Sequence, residues 1–212
     1  MIDSLYKMKK TIKIIAASAL AIAFAAACDH SEVVTDKVNV DLTEALQDGQ
    51  KDSVSVNAEV EFPVSGLPDS VKTRITETIV ETAFGSDYAG MEIHAAAEKW
   101  SSDYVKEYRE TNLEFAKEFE SGEPSGGVFN WENQLNGYFS GRHEDIVSYT
   151  VYNYIYSGGA HGTTTEVAVN MNRNTGKLVN EADFFIPGYR EALSGILSSH
   201  LRDALPDQES YD

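Results

Sequence analysis

The 212-residue chain carries 34 acidic side chains against 17 Lys and Arg, a formal net charge of -17 at pH 7, with 42% hydrophobic and 10% aromatic residues. That much negative charge repels phosphate backbones and excludes nucleic acid as a partner. The apolar content excludes a disordered chain and suffices for one domain or two small ones.

The N-terminal stretch "MKKTIKIIAASALAIAFAAAC" places Lys9, Lys10 and Lys13 ahead of an apolar run that ends in small residues, the pattern of a bacterial export signal starting at Met8. The run from Ile14 to Ala27 falls short of the about 20 residues a spanning helix needs, so cleavage is expected rather than anchoring by the span. The single cysteine, Cys28, has no partner for an intramolecular disulfide. Its place after Ala25, Ala26 and Ala27 resembles the lipobox of bacterial lipoproteins, with Ala25 where that motif usually has Leu. The resemblance implies a lipidated Cys28 as mature N-terminus and a protein held on a membrane, facing the periplasm or cell surface. Ordinary signal-peptidase cleavage after Ala27 is the alternative. Removing residues 1–27 takes away Lys7, Lys9, Lys10 and Lys13 against Asp3, which leaves the exported part more acidic still.

Residues 28–52 read as a polar, acidic tether from lipid to domain, with room for a short helix. "SVSVNAEVEFP" then alternates and predicts a strand that buries Val54, Val56, Ala58, Val60 and Phe62. Pro68 opens a helix with Val71, Ile75, Ile79 and Ala83 on one stripe and a stop at Gly85. A second helix, over about residues 91–119, carries Ile93, Ala97, Trp100, Tyr104 and Tyr108 on its apolar stripe. "EPSGG" at residues 123–127 predicts a loop. Two strands joined at "GRHED" follow, the second with Tyr152, Tyr154 and Tyr156 on one face and Val147, Tyr149, Val151 and Ile155 on the other. Such two-sided apolarity predicts a central strand covered on both faces. Residues 163–172 alternate again, "NRNTGK" predicts a turn, and a last helix starts near Pro187. Together these predict an α+β fold, an antiparallel sheet from residues 54–62, 128–139, 146–157 and 163–180 with two to three helices packed on it.

No HExxH, GxSxG, P-loop or GxGxxG motif occurs, and His30, His94, His143, His161 and His200 lie on separate segments without metal-ligand spacing. No catalytic residue, metal or cofactor is therefore assigned. The most specific local feature is "YIYSGGAHG", in which Gly158, Gly159 and Gly162 surround His161. Three readings of His161 stand: a ring buried in a hydrogen bond that organises the turn, a ligand contact, or a catalytic group working with a carboxylate such as Glu166 or Asp183. The tyrosines, Tyr154 and Tyr156 among them, read either as core or as an aromatic platform for a sugar or a protein.

The stretch "YSGGAHGTTTEVAVNMNRNTGKLVNEADFF", residues 156–185, resembles the start of a domain found in RsiV-type anti-sigma factors and PdaC-type peptidoglycan deacetylases, in which a GGAHG turn is followed by a TGK turn. The match lies at Gly158, Gly159, His161, Gly162, Thr175, Gly176 and Lys177, with Asn174 where the family often has an acidic residue. Residues 53–155 resemble the segment that precedes this domain, and 156–212 its start, truncated because the family's further strands after the last helix have no counterpart before Asp212. The resemblance implies an extracytoplasmic module that recognises a protein, lysozyme-like, or a cell-wall ligand, since the deacetylase chemistry of PdaC-type proteins sits in a domain this chain lacks. An acidic module suits a basic partner. The alternative is a cell-wall glycan or peptide hydrolase built on His161.

Overall fold

Alternation makes the sheet. In the computed structural model, which describes residues 33–49, 51–119 and 129–204, Val54, Val56, Ala58 and Val60 of strand β2 (Ser53–Ser65) are all buried on one side. The same side of strand β1 (Val34–Ala45) carries Val38, Val40 and Leu42, which lie opposite Val60, Ala58 and Val56. Residues 34–45 are thus a sheet strand and not the tether expected for 28–52. Val38, Val40 and Leu42 alternate as a strand should, but Asp36 and Glu44 take the same-face positions on either side and shorten the visible run.

Helices α1 (Asp69–Phe84) and α2 (Ile93–Phe119) separate β2 from strand β3 (Trp131–His143). This crossover lets β2 and β3 run parallel, which a short hairpin cannot do. Strands β4 (Ile146–Tyr156) and β5 (Thr163–Asn172) add antiparallel neighbours, so the order is β1-β2-β3-β4-β5 with one parallel pair. The α+β class holds, with a sheet that is mostly antiparallel.

Both helices bury the predicted stripes. Val71, Ile75 and Ile79 of α1 and Ile93, Ala97, Trp100 and Tyr108 of α2 lie in one core with Leu135, Tyr149 and Met171 of the sheet. Aromatic edges join the layers, with Trp131 of β3 against Tyr108 at 5.6 Å and Tyr104 at 5.9 Å between ring centres. Arg109 of α2 reaches back to β1, donating to Glu44 at 2.8 Å and to the Ala45 carbonyl at 3.2 Å. Gly85, at φ 101, ends α1 where a Cβ would be strained.

The chain divides into two compact units, Met1–Leu178 and Val179–Asp212. The first holds the sheet with α1 and α2. The second contains helix α3 (Glu181–Phe184), which the sequence did not announce, and helix α4 (Tyr189–Ala204). Asn180 and Asp183 close a capping box on α3, and Glu181 is bonded by Tyr189 and Arg190. Leu193, Ile196, Leu197 and Leu201 of α4 are exposed. Among the described residues no helix is long and apolar enough to cross a membrane.

Candidate functional site

Tyr154 and Tyr156 hold the glycine turn. β4 delivers both rings to the side of the sheet away from α1 and α2, and the chain then doubles back through Gly158 at φ 93 and Gly159 at φ 91. Those angles belong to the left-handed region, which explains two of the three glycines. Gly162 answers to a different requirement. A Cβ there would sit 2.5 Å from Cε2 of Tyr154, so only a bare backbone lets the ring lie against it. The Tyr156 hydroxyl donates to the Gly159 carbonyl at 2.9 Å and ties the turn to the strand it leaves.

His161 does not hold the turn. Its side chain is exposed, and its ring makes a 3.2 Å contact from Nδ1 to the carbonyl of its own neighbour, Gly162. The expectation of a buried imidazole organising the turn is corrected: the tyrosines do that work, because they present both a flat face and a hydroxyl where the turn folds back. Of the carboxylates considered beside His161, Glu166 lies on exposed β5 opposite Tyr152, and Asp183 caps α3 in the second unit. Among the described residues Glu166 is not bonded to His161.

The second motif of the sequence is structural in detail. Asn172 Oδ1 accepts from the backbone of Asn174 and Thr175, both at 3.0 Å, and Gly176 N donates to the Asn172 carbonyl at 2.7 Å. Gly176, at φ 72, packs so closely that a Cβ would fall 2.8 Å from the Val71 carbonyl of α1. Arg74 of α1 donates to the Thr175 carbonyl at 2.9 Å, fastening the TGK turn to the helix.

The helices cover one face of the sheet. On the other, register places Glu132, Gln134, Asn136 and Tyr138 of β3 beside Tyr156, Tyr154, Tyr152 and Thr150 of β4, with Thr164 and Glu166 of β5 next in line. The expectation that β4 is covered on both sides fails here. Tyr149 and Val151 are buried beneath the helices, whereas on the far side Thr150 is buried, Tyr154 and Tyr156 are half-buried, Tyr152 is 37% exposed and the neighbouring Tyr138 of β3 is 44% exposed. A tyrosine ring tolerates water through its hydroxyl, so a Tyr-rich strand can look two-sided in sequence and still have an open face.

Behind this face the framework is stiff. Gly137 admits the Tyr149 hydroxyl into the space its Cβ would fill, and that hydroxyl donates to the Glu61 carbonyl at 2.8 Å. Burial first, and then the charge of Glu61, push the Tyr149 phenol well above the ordinary range, so it stays a donor. Glu61 in turn accepts from Thr35 Oγ1 at 2.6 Å and from the Phe139 amide at 3.2 Å. Burial likewise pushes the phenols of Tyr104 and Tyr108 up to about 12.

The remaining described histidines each have surroundings of their own. His94 meets the edge of Phe62 at 5.6 Å, His143 ends β3, and His200 bonds the Ile196 carbonyl within α4. Among the described residues no three His, Cys, Asp or Glu groups stand together as a metal set. Cys28, His30 and the "EPSGG" loop lie outside the described residues.

No protein-family model matches the chain, and no curated protein matches its sequence. Solved structures match its shape. A member of the DUF3298 family from Bacteroides fragilis superposes with a TM-score of 0.75 at 22% identity, over 82% of this chain and 69% of its own. A DUF3298 family protein from Pseudomonas aeruginosa superposes with a TM-score of 0.53 at 18% identity, over 84% of this chain and 70% of its own. At these identities the likeness defines the fold: the chain has the α+β architecture of DUF3298 structures.

Proposed function

We propose that the protein is an extracytoplasmic binding module, lipid-anchored through Cys28, that recognises a cationic protein of the lysozyme kind and performs no catalysis of its own. The observation that carries the reading is the open sheet face, an aromatic and acidic surface on a stiff support. Exposed tyrosines give a partner large contact area at low entropic cost. The overall charge of -17 favours encounter with a basic protein. The resemblance of residues 156–185 to the RsiV-type module, and the shape shared with DUF3298 structures, support the same assignment.

The test is titration of the purified soluble chain with lysozyme and with insoluble peptidoglycan, each followed by calorimetry or co-sedimentation. Saturable lysozyme binding that weakens with added salt is the expected result. Binding to peptidoglycan alone replaces the protein ligand by a cell-wall one. Release of soluble glycan or peptide fragments overturns the non-catalytic reading.

A further inference from the structure

The open sheet face combines exposed aromatic rings with carboxylates that no Lys or Arg pairs with among the described residues. Tyr152 of β4 lies directly opposite Glu166 of β5, and Tyr156 lies directly opposite Glu132 of β3. Side chains so paired stand about 5 Å apart at their β-carbons. Among the described residues no Lys or Arg forms an ion pair with Glu132 or Glu166, whereas nearby Glu59 is paired with Lys37 at 2.6 Å. Gln134 donates to Glu132 and steadies it. Each couple sets a tyrosine across from a carboxylate that no Lys or Arg pairs with among the described residues, and the two lie four residues apart along β4, roughly 13 Å.

We infer that these two couples are receptor notches for arginine side chains of a cationic partner protein, so that this face, and not the helical one, is the docking surface. An arginine suits such a notch better than a lysine. Its guanidinium lies flat on an aromatic ring while its planar fork meets a carboxylate with two parallel hydrogen bonds. Two unneutralised carboxylates on an already acidic protein fix the sign of the partner. The inference rests on the reading of the chain as a binding module, and it adds the surface and the chemistry of the contact. The rest of the face fits this use: Tyr138 and Asn136 surround the notches with adaptable polar and aromatic area.

The experiment uses the soluble chain with nona-arginine, nona-lysine and lysozyme as separate probes, at two salt concentrations. The variants are Glu132→Gln with Glu166→Gln, Tyr152→Ser alone, and Glu110→Gln on the exposed side of α2 as the charge control. Circular dichroism and thermal melting establish that each is folded. Expected are tighter binding of nona-arginine than of nona-lysine, and a loss of about tenfold in nona-arginine affinity for both face variants with none for Glu110→Gln. Equal binding of the two peptides removes the arginine assignment, and unchanged affinity in the face variants removes the surface. If nona-arginine behaves as expected and lysozyme does not bind, the notches stand and the lysozyme-like identity of the partner fails. Peptidoglycan bound by the wild type and lost in Tyr152→Ser, with nona-arginine unaffected, assigns the face to a glycan and overturns the inference.

Discussion

The ring of Tyr154 lies against the backbone of Gly162 so closely that no β-carbon fits between them. Gly162→Ala is therefore expected to displace the ring and cost about 1 to 3 kcal/mol, read as a lowered midpoint in thermal or urea unfolding. Gly159→Ala should cost about 1 to 2 kcal/mol by a different route, its positive φ, since its Cβ would meet nothing. His161→Ala should melt with the wild type, because the exposed ring holds nothing in place. A destabilised His161→Ala would return the histidine to the structural role assigned here to the tyrosines.

Gly137 and Tyr149 form a second such couple. Gly137→Ala drives a methyl group into the Tyr149 hydroxyl, while Tyr149→Phe removes the bond to the Glu61 carbonyl at a cost of about 1 kcal/mol. In the double variant the methyl group has more room, so the two costs are expected to be less than additive in a double-mutant cycle by unfolding. Strict additivity contradicts the packing described.

Arg109 links α2 to β1 with both partners partly buried, at side-chain exposures of 29% and 27%. Arg109→Ala is expected to cost about 1 kcal/mol after allowance for solvent screening. Hydrogen exchange should speed up in β1 before β4, since β1 is an edge strand held on one side by β2 alone. Uniform acceleration across the sheet would show that the link is not local.

Alkaline pH acts through the buried tyrosines. Tyr104 and Tyr108 are raised by burial to about 12 in the folded chain, against about 10 when unfolded. The unfolded state thus loses these protons first, so their contribution is complete below pH 10 and is lost as pH rises from 10 to about 12. Stability should fall across that window, with tyrosinate absorbance from these two rings appearing only as the fold opens. Their ionisation near pH 10 in a chain that is still folded contradicts the burial.

Most of this fold is legible in the residues, and the exceptions have physical causes. The helices around Ile75 and Trp100 announce themselves because one stripe of each is apolar, and the first is bounded by Pro68 and Gly85. β1 is hidden because Asp36 and Glu44 take same-face positions on either side of Val38, Val40 and Leu42 and leave only a short alternating run, although Val38 and Leu42 do pack inward. The parallel β2–β3 pair depends on where a helical crossover lands, which local pattern does not encode. The glycines at 158, 159 and 162 were visible as a turn. Which side chain completes it was not, since a histidine inside three glycines looks the same whether it packs, binds or faces water. The open face was obscured by tyrosine itself, a residue apolar enough to imply cover and polar enough to do without it.

Lipid anchoring through Cys28 is tested by metabolic labelling with a fatty-acid analogue. The wild type is expected to take up the label and stay with membranes, and Cys28→Ala to lose both properties. A Cys28→Ala chain that still carries label contradicts the proposed anchor.

The most direct test of the binding account is NMR mapping of the labelled soluble chain during titration with lysozyme. The largest changes are expected on Glu132, Tyr138, Tyr152, Tyr156 and Glu166, with exposed residues of α1 and α2 unperturbed. Perturbations concentrated on the helices, or none at all at saturating lysozyme, would contradict it.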